Sequence, residues 1–190
     1  MGFLKKLFGN VEKANKGEIP VEEIVPPFTF DLAEEADDYW REMEELLLIN
    51  VVKAVGGPEA VERAFVLANF KENQETFELF YQVDGQLLSW KEMDAAVVDK
   101  ISNQLLPQAP EVARAVNENY EEAKVPVIEY AMLQFETATM AWFGRKLTTA
   151  SPEAQLTFEE LVAGWRGVIE EEIPTHPIDS DTAFPYFEVR

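Results

Sequence analysis

Apolar residues recur at three- and four-residue spacing from Asp31 onward. Leu32, Ala36, Tyr39, Trp40, Met43, Leu46 and Leu47 make one stripe, which predicts a helix. Asp31 is placed to cap it, with Glu34 three positions on as a capping-box partner, and acid in the first turn suits the helix dipole. The stripe runs through Val51 and Val55 to Gly56-Gly57-Pro58, where a glycine C-cap and a proline end it. The period then changes. Ala64 to Phe70 is a continuous apolar run, and Glu75 to Val83 alternates, with Phe77, Leu79, Tyr81 and Val83 on one face and Thr76, Glu78 and Gln82 on the other. Asp84-Gly85 suits a type I′ turn, and Gln86 to Trp90 returns as a partner strand. Three antiparallel strands are predicted.

Helical spacing resumes at Glu92 and runs through Ala96, Val97, Ile101 and Leu105. Pro107 and Pro110 break or kink it before a second helical piece from Glu111 to about Ala123. Val127 to Phe135 and Met140 to Phe143 then read as strands apolar on both faces, hence central, although a buried helix fits the same pattern. Arg145-Lys146 reads as ordinary strand-end charge. Ser151-Pro152-Glu153 and Thr157-Phe-Glu-Glu160 both resemble helix starts, the second with a capping box, and Phe158, Leu161, Val162, Trp165, Val168 and Ile169 supply an apolar face. The order α-βββ-αα-ββ-α predicts a single α+β domain over 28–173, built on an antiparallel sheet of about five strands. Residues 1–27 read as a leader and linker, and 174–190 as an irregular tail rich in proline.

Length and composition agree with one ordinary folded domain: 190 residues, 47% of them hydrophobic. Charge changes the picture. Sixteen basic residues face thirty-six acidic ones, a net charge of −20. Such a surface repels phosphate backbones, so direct nucleic-acid binding is not expected. The absence of cysteine excludes disulfides and thiolate chemistry, and a single histidine, His176, excludes histidine-rich metal sites. His176 sits between Pro174 and Pro177 and reads as an exposed loop residue. No apolar run reaches the ~20 residues that span a bilayer. The start of the chain lacks a signal-peptide core, and Lys6 stands where a myristoylation pattern wants Ser or Thr. Phe3, Leu4, Leu7 and Phe8 leave room for weak contact with a membrane surface, but a cytoplasmic protein is expected.

The most conspicuous cluster is acidic. Asp31, Glu34, Glu35, Asp37, Asp38, Glu42, Glu44 and Glu45 stand against Arg41 alone, a net of −7 within fifteen residues of the first helix. Pairs four apart, Glu34/Asp38 and Asp38/Glu42, repel by a few tenths of a kcal/mol. One explanation is a merely solvated face. The other is a docking surface for a basic partner protein, with Glu34, Glu35, Asp38, Glu42 and Glu45 as its contacts, because such a field speeds encounter and rejects wrong partners. Metal binding is not expected. A bundle-type di-iron site wants two histidines, and Asp179-Ser-Asp181 lacks the glycine and closing glutamate of a calcium loop. No cofactor is expected either, since phosphate-loop, dinucleotide and nucleophile-elbow motifs are all missing. Trp40, Trp90, Trp142 and Trp165 fall on apolar stretches and read as core.

Local texture adds a family resemblance. Ala64-Phe-Val-Leu-Ala-Asn-Phe70 after the first helix, the aromatic strand Phe77-Glu-Leu-Phe-Tyr-Gln-Val83, a turn and return strand ending Leu88-Ser89-Trp90, and a late helix carrying Trp165 resemble the bacterial YezG-like proteins. These are immunity proteins or antitoxins of polymorphic toxin systems. The similarity runs from about Asp38 to Glu172. It implies an α+β fold, no catalytic residues, and neutralisation of a nuclease toxin by occlusion. Charge points the same way, because a nuclease surface that grips phosphate is basic. The leading expectation is therefore a non-catalytic acidic protein that binds a basic partner. The alternative is an acidic chaperone or adaptor holding a client segment. A carboxylate-driven hydrolase is a third reading, for which sequence spacing selects no catalytic pair.

Overall fold

Asp31 caps the first helix as expected, its side chain accepting a hydrogen bond from the Ala33 N–H at 3.0 Å. The reciprocal Glu34 bond of a capping box is not formed among the described residues. The computed structural model describes residues 31–176 together with Phe187 and Val189, so the leader and linker, and most of the tail, lie outside the described residues. Helix α1 (Leu32–Ala54) stops where the glycines predict. The Gly57 N–H donates to the Val52 carbonyl and the Gly56 N–H to that of Lys53, both glycines at positive φ, which makes a Schellman closure.

Strands β1 (Arg63–Asn69), β2 (Thr76–Val83) and β3 (Gln86–Ser89) follow. Asp84 and Gly85 both adopt positive φ, the backbone that a type I′ turn requires. Helix α2 (Ala95–Lys100) is capped by Asp94, and a π turn over Ile101–Leu105 leads through Pro107 into α3 (Ala109–Glu122). Pro110 does not break this helix. It sits in the first turn, where a missing N–H costs nothing. Strands β4 (Ile128–Glu136) and β5 (Ala141–Thr148) precede α4 (Phe158–Glu172), whose Thr157/Glu160 capping box forms as predicted.

The result is an α+β fold on one antiparallel five-stranded sheet, ordered β3-β2-β1-β4-β5. Both faces are covered. Ala64, Val66, Ala68, Phe77, Leu79, Tyr81, Ala131 and Leu133 pack against α1, α2 and α3. Phe65, Leu67, Phe80, Tyr130, Met132 and Leu147 pack against α4, with Trp165 edge-on to Phe65 and Phe80. That double burial explains why β1 and β4 read as continuous apolar runs.

Several expectations need correction. Strand β5 is the last strand of the sheet, not a central one, and it runs on to Thr148. Arg145 and Lys146 therefore lie inside it, pairing respectively with Glu153 and Asp37. Trp142 is exposed on this strand, unlike Trp40, Trp90 and Trp165, which are buried. Leu32 and Leu46 leave the apolar stripe for solvent, since Ala36, Trp40, Leu47, Leu48, Val51 and Val52 define the side of α1 that meets the sheet. His176 is half-buried rather than exposed, and its carbonyl accepts a hydrogen bond from the buried Arg63 guanidinium at 3.0 Å.

Candidate functional site

The acidic run on α1 divides into two sets with different surroundings. Glu34, Glu35, Asp38, Glu42 and Glu45 are all exposed. At 3.6 residues per turn they share an arc of roughly 100° and extend about 17 Å along the axis. Among the described residues only Asp38 in this set is ion-paired, to Arg41 at 3.2 Å, and that pair is itself exposed and worth little. The structure therefore brings all five predicted contacts onto one surface. Two large aliphatic side chains share it: Ile49 within the arc and Leu46 at its border, both exposed.

Asp37 and Glu44 belong elsewhere, because the helix turns them toward β5. Asp37 accepts a hydrogen bond from the Tyr120 hydroxyl of α3 at 2.6 Å and is paired with Lys146 of β5. Lys146 in turn donates to the Tyr120 oxygen at 2.9 Å, so three elements meet on one carboxylate. Burial works against ionisation of Asp37. The hydrogen bonds from Lys146 and Tyr120 outweigh it and hold the carboxyl below its ordinary value. Burial and the adjacent Asp37 carboxylate push the Tyr120 phenol well above the usual range. Glu44 is 5% exposed and packs against the backbone of Gly144, where any Cβ would collide with its carboxylate. Burial raises its carboxyl to about 7, against the opposing hydrogen bond with Trp40 and the charges of Lys146 and Arg41.

Beside the acidic face, the second half of α1 and the β4–β5 hairpin enclose an open cavity of about 360 Å³. Leu48, Ile49 and Val52 form one wall, and Phe135, Met140 and Trp142 the other, with Gly57 and Pro58 at one end. Among the described residues only Glu45 and Lys53 bring charge to its edge. The sequence does not disclose this feature, since its pattern places Trp142 in the core and Met140 in a central strand, whereas Met140 stands exposed in the turn before β5. A second depression, a groove of about 1080 Å³, runs along α3 beside the β1–β2 connection and the start of β4. Phe70, Ala113 and Ile128 floor it, and Glu72, Glu75, Glu111, Glu118, Glu121 and Glu129 outnumber Lys71 and Arg114 on its walls. Lys71 is held by Glu129 at 3.3 Å and donates to the Ala154 carbonyl at 2.9 Å. These acids are spread over three elements, which is why no sequence cluster announced them.

On the opposite face of the sheet, Arg63 is fully buried. It donates to Glu136 and to Gln82, each at 2.8 Å, and these are its direct register partners in β4 and β2. Glu136 and Glu44, the two buried carboxylates among the described residues, line neither cavity. Among the described residues no three His, Asp or Glu side chains gather as a set that could hold a metal ion. No helix among them is long and apolar enough to cross a membrane. Neither a family model nor a curated protein matches the chain.

Proposed function

We propose that this chain is a non-catalytic acidic binding protein of the immunity or antitoxin type, which neutralises a basic partner, a nuclease toxin, by covering its phosphate-gripping surface. The observation that carries the reading is the α1 face, where Glu34, Glu35, Asp38, Glu42 and Glu45 stand together, exposed and largely without ion-pair partners among the described residues. A helix that needed only solubility gains nothing from five like charges on one side, which repel each other. Against a cationic groove the same arrangement replaces phosphates and steers encounter. The resemblance to YezG-like immunity proteins supports the same partner class, as does a net charge of −20.

Affinity capture tests this directly. The chain is immobilised, exposed to a lysate of its source cells, eluted with a salt gradient, and the eluate is assayed for nuclease activity. The reading expects one basic nuclease, released at raised salt and silenced by one equivalent of the free chain. A captured protein whose catalysis is untouched at saturation supports the adaptor reading instead. That second reading has its own observation, the open acidic groove along α3, whose apolar floor and carboxylate walls suit an extended basic segment.

A further inference from the structure

The cavity beside the acidic face is unusual for what it lacks. A small-molecule site normally sets a few convergent polar groups among apolar walls, to orient its ligand. Here, among the described residues, the walls are Leu48, Ile49, Val52, Phe135, Met140 and Trp142, and the charges of Glu45 and Lys53 stand at the edge. At 61% and 36% exposure, Met140 and Trp142 leave apolar surface in water that a folded protein ordinarily covers. Tryptophan and methionine are also the side chains that interfaces favour, the first as an anchor and the second as an adaptable packing surface. A volume of about 360 Å³ equals roughly a dozen water molecules, the scale of one large side chain and its neighbours.

We propose that this cavity is the anchor pocket of the binding surface, receiving one large apolar side chain of a basic partner protein whose flanking Lys and Arg residues are read by Glu45, Glu42 and Asp38. The inference rests on the function proposed above and names the contact that supplies affinity, where the carboxylates supply encounter rate and selectivity. Charge complementarity chooses the occupant. Glu45 belongs both to the cavity and to the acidic face, so whatever fills the cavity lies against carboxylates one and two helical turns away. A second copy of the chain would bring another acidic face against this one, and like charge across an interface is repulsive.

The probe is a pair of nonapeptides, each a central residue between three Lys or Arg residues on either side with terminal glycines. The central residue is phenylalanine in one and alanine in the other. Binding to the full chain is followed by NMR, through the methyl groups of Ile49 and Met140 and the amides of α1. The phenylalanine peptide is expected to shift both sets and to bind at least tenfold more tightly than its alanine twin, which shifts only the α1 amides. The exposed substitutions I49S and M140K, combined, are expected to abolish that preference while leaving the amide shifts. Equal binding of the two peptides without methyl shifts overturns the pocket and leaves the acidic-face reading standing. Silence from both peptides overturns both. Undiminished methyl shifts in E34K/D38K/E42K/E45K show an occupant not selected by charge, and methyl shifts that grow with protein concentration alone show a second copy. Either result overturns the proposal.

Discussion

Glu44 sits among acids that face water, yet it is buried against the backbone of Gly144 on the neighbouring strand. Asp37, Arg41 and Trp40 of its own helix, Tyr120 of α3 and Lys146 of β5 surround it. Its carboxyl titrates near 7 in the folded chain and near 4.5 when unfolded. Between those values the folded state holds the extra proton, so this residue's contribution to stability is full below about pH 4.5 and is lost as pH rises through 7. The loss is at most on the order of 3 kcal/mol. Glu44→Gln stays neutral throughout. It is expected to match the natural chain at pH 4.5 and to exceed it in unfolding midpoint at pH 8, as measured by urea denaturation at the two pH values. Parallel stability profiles would show that Glu44 ionises freely. The acidic run itself was legible in the sequence. Its division into exposed contacts and inward ties was not, because the residues that claim Asp37 and Glu44 lie far along the chain, Tyr120 in α3 and Gly144 and Lys146 in β5.

Among the elements, β1 organises the sheet, and Arg63 shows how. It occupies the position where β2 and β4 both pair with β1, so its guanidinium ties three strands through Gln82 and Glu136 and reaches the segment that follows α4 through the His176 carbonyl. Removing one member of a buried pair strands the other charge. Arg63→Met is expected to cost about 3–5 kcal/mol, and the double change R63M/E136L to recover most of that, by denaturant midpoint. A double variant no more stable than the single one would mean that the pair acts through packing alone. The elements near such ties were mostly readable. The glycine closure of α1, the Asp84-Gly85 turn and the Thr157 capping box each carry local chemistry that leaves few alternatives. Strand β5 was misread for a reason that is not local. Whether a strand lies at the centre or the edge depends on strand order, and the apolar Trp142 that suggested a centre faces the cavity beside α1. The α3 groove escaped notice likewise, its carboxylates being gathered only by folding.

For the whole molecule the dominant quantity is charge. A net of −20 produces a field that reaches about one Debye length, ~10 Å at 0.1 M salt, and the five carboxylates of α1 give it a direction. If that face is the binding surface, its contribution appears in the association rate, because steering by exposed charge acts on encounter before contact. The most direct measurement is the association rate constant with the captured nuclease, taken by stopped flow between 20 and 300 mM salt for the natural chain and for E34K/D38K/E42K/E45K. The account predicts a natural-chain rate that falls at least tenfold with salt, and a variant rate that starts at least tenfold lower and changes little. Superimposable rates for the two proteins at every salt concentration would contradict it.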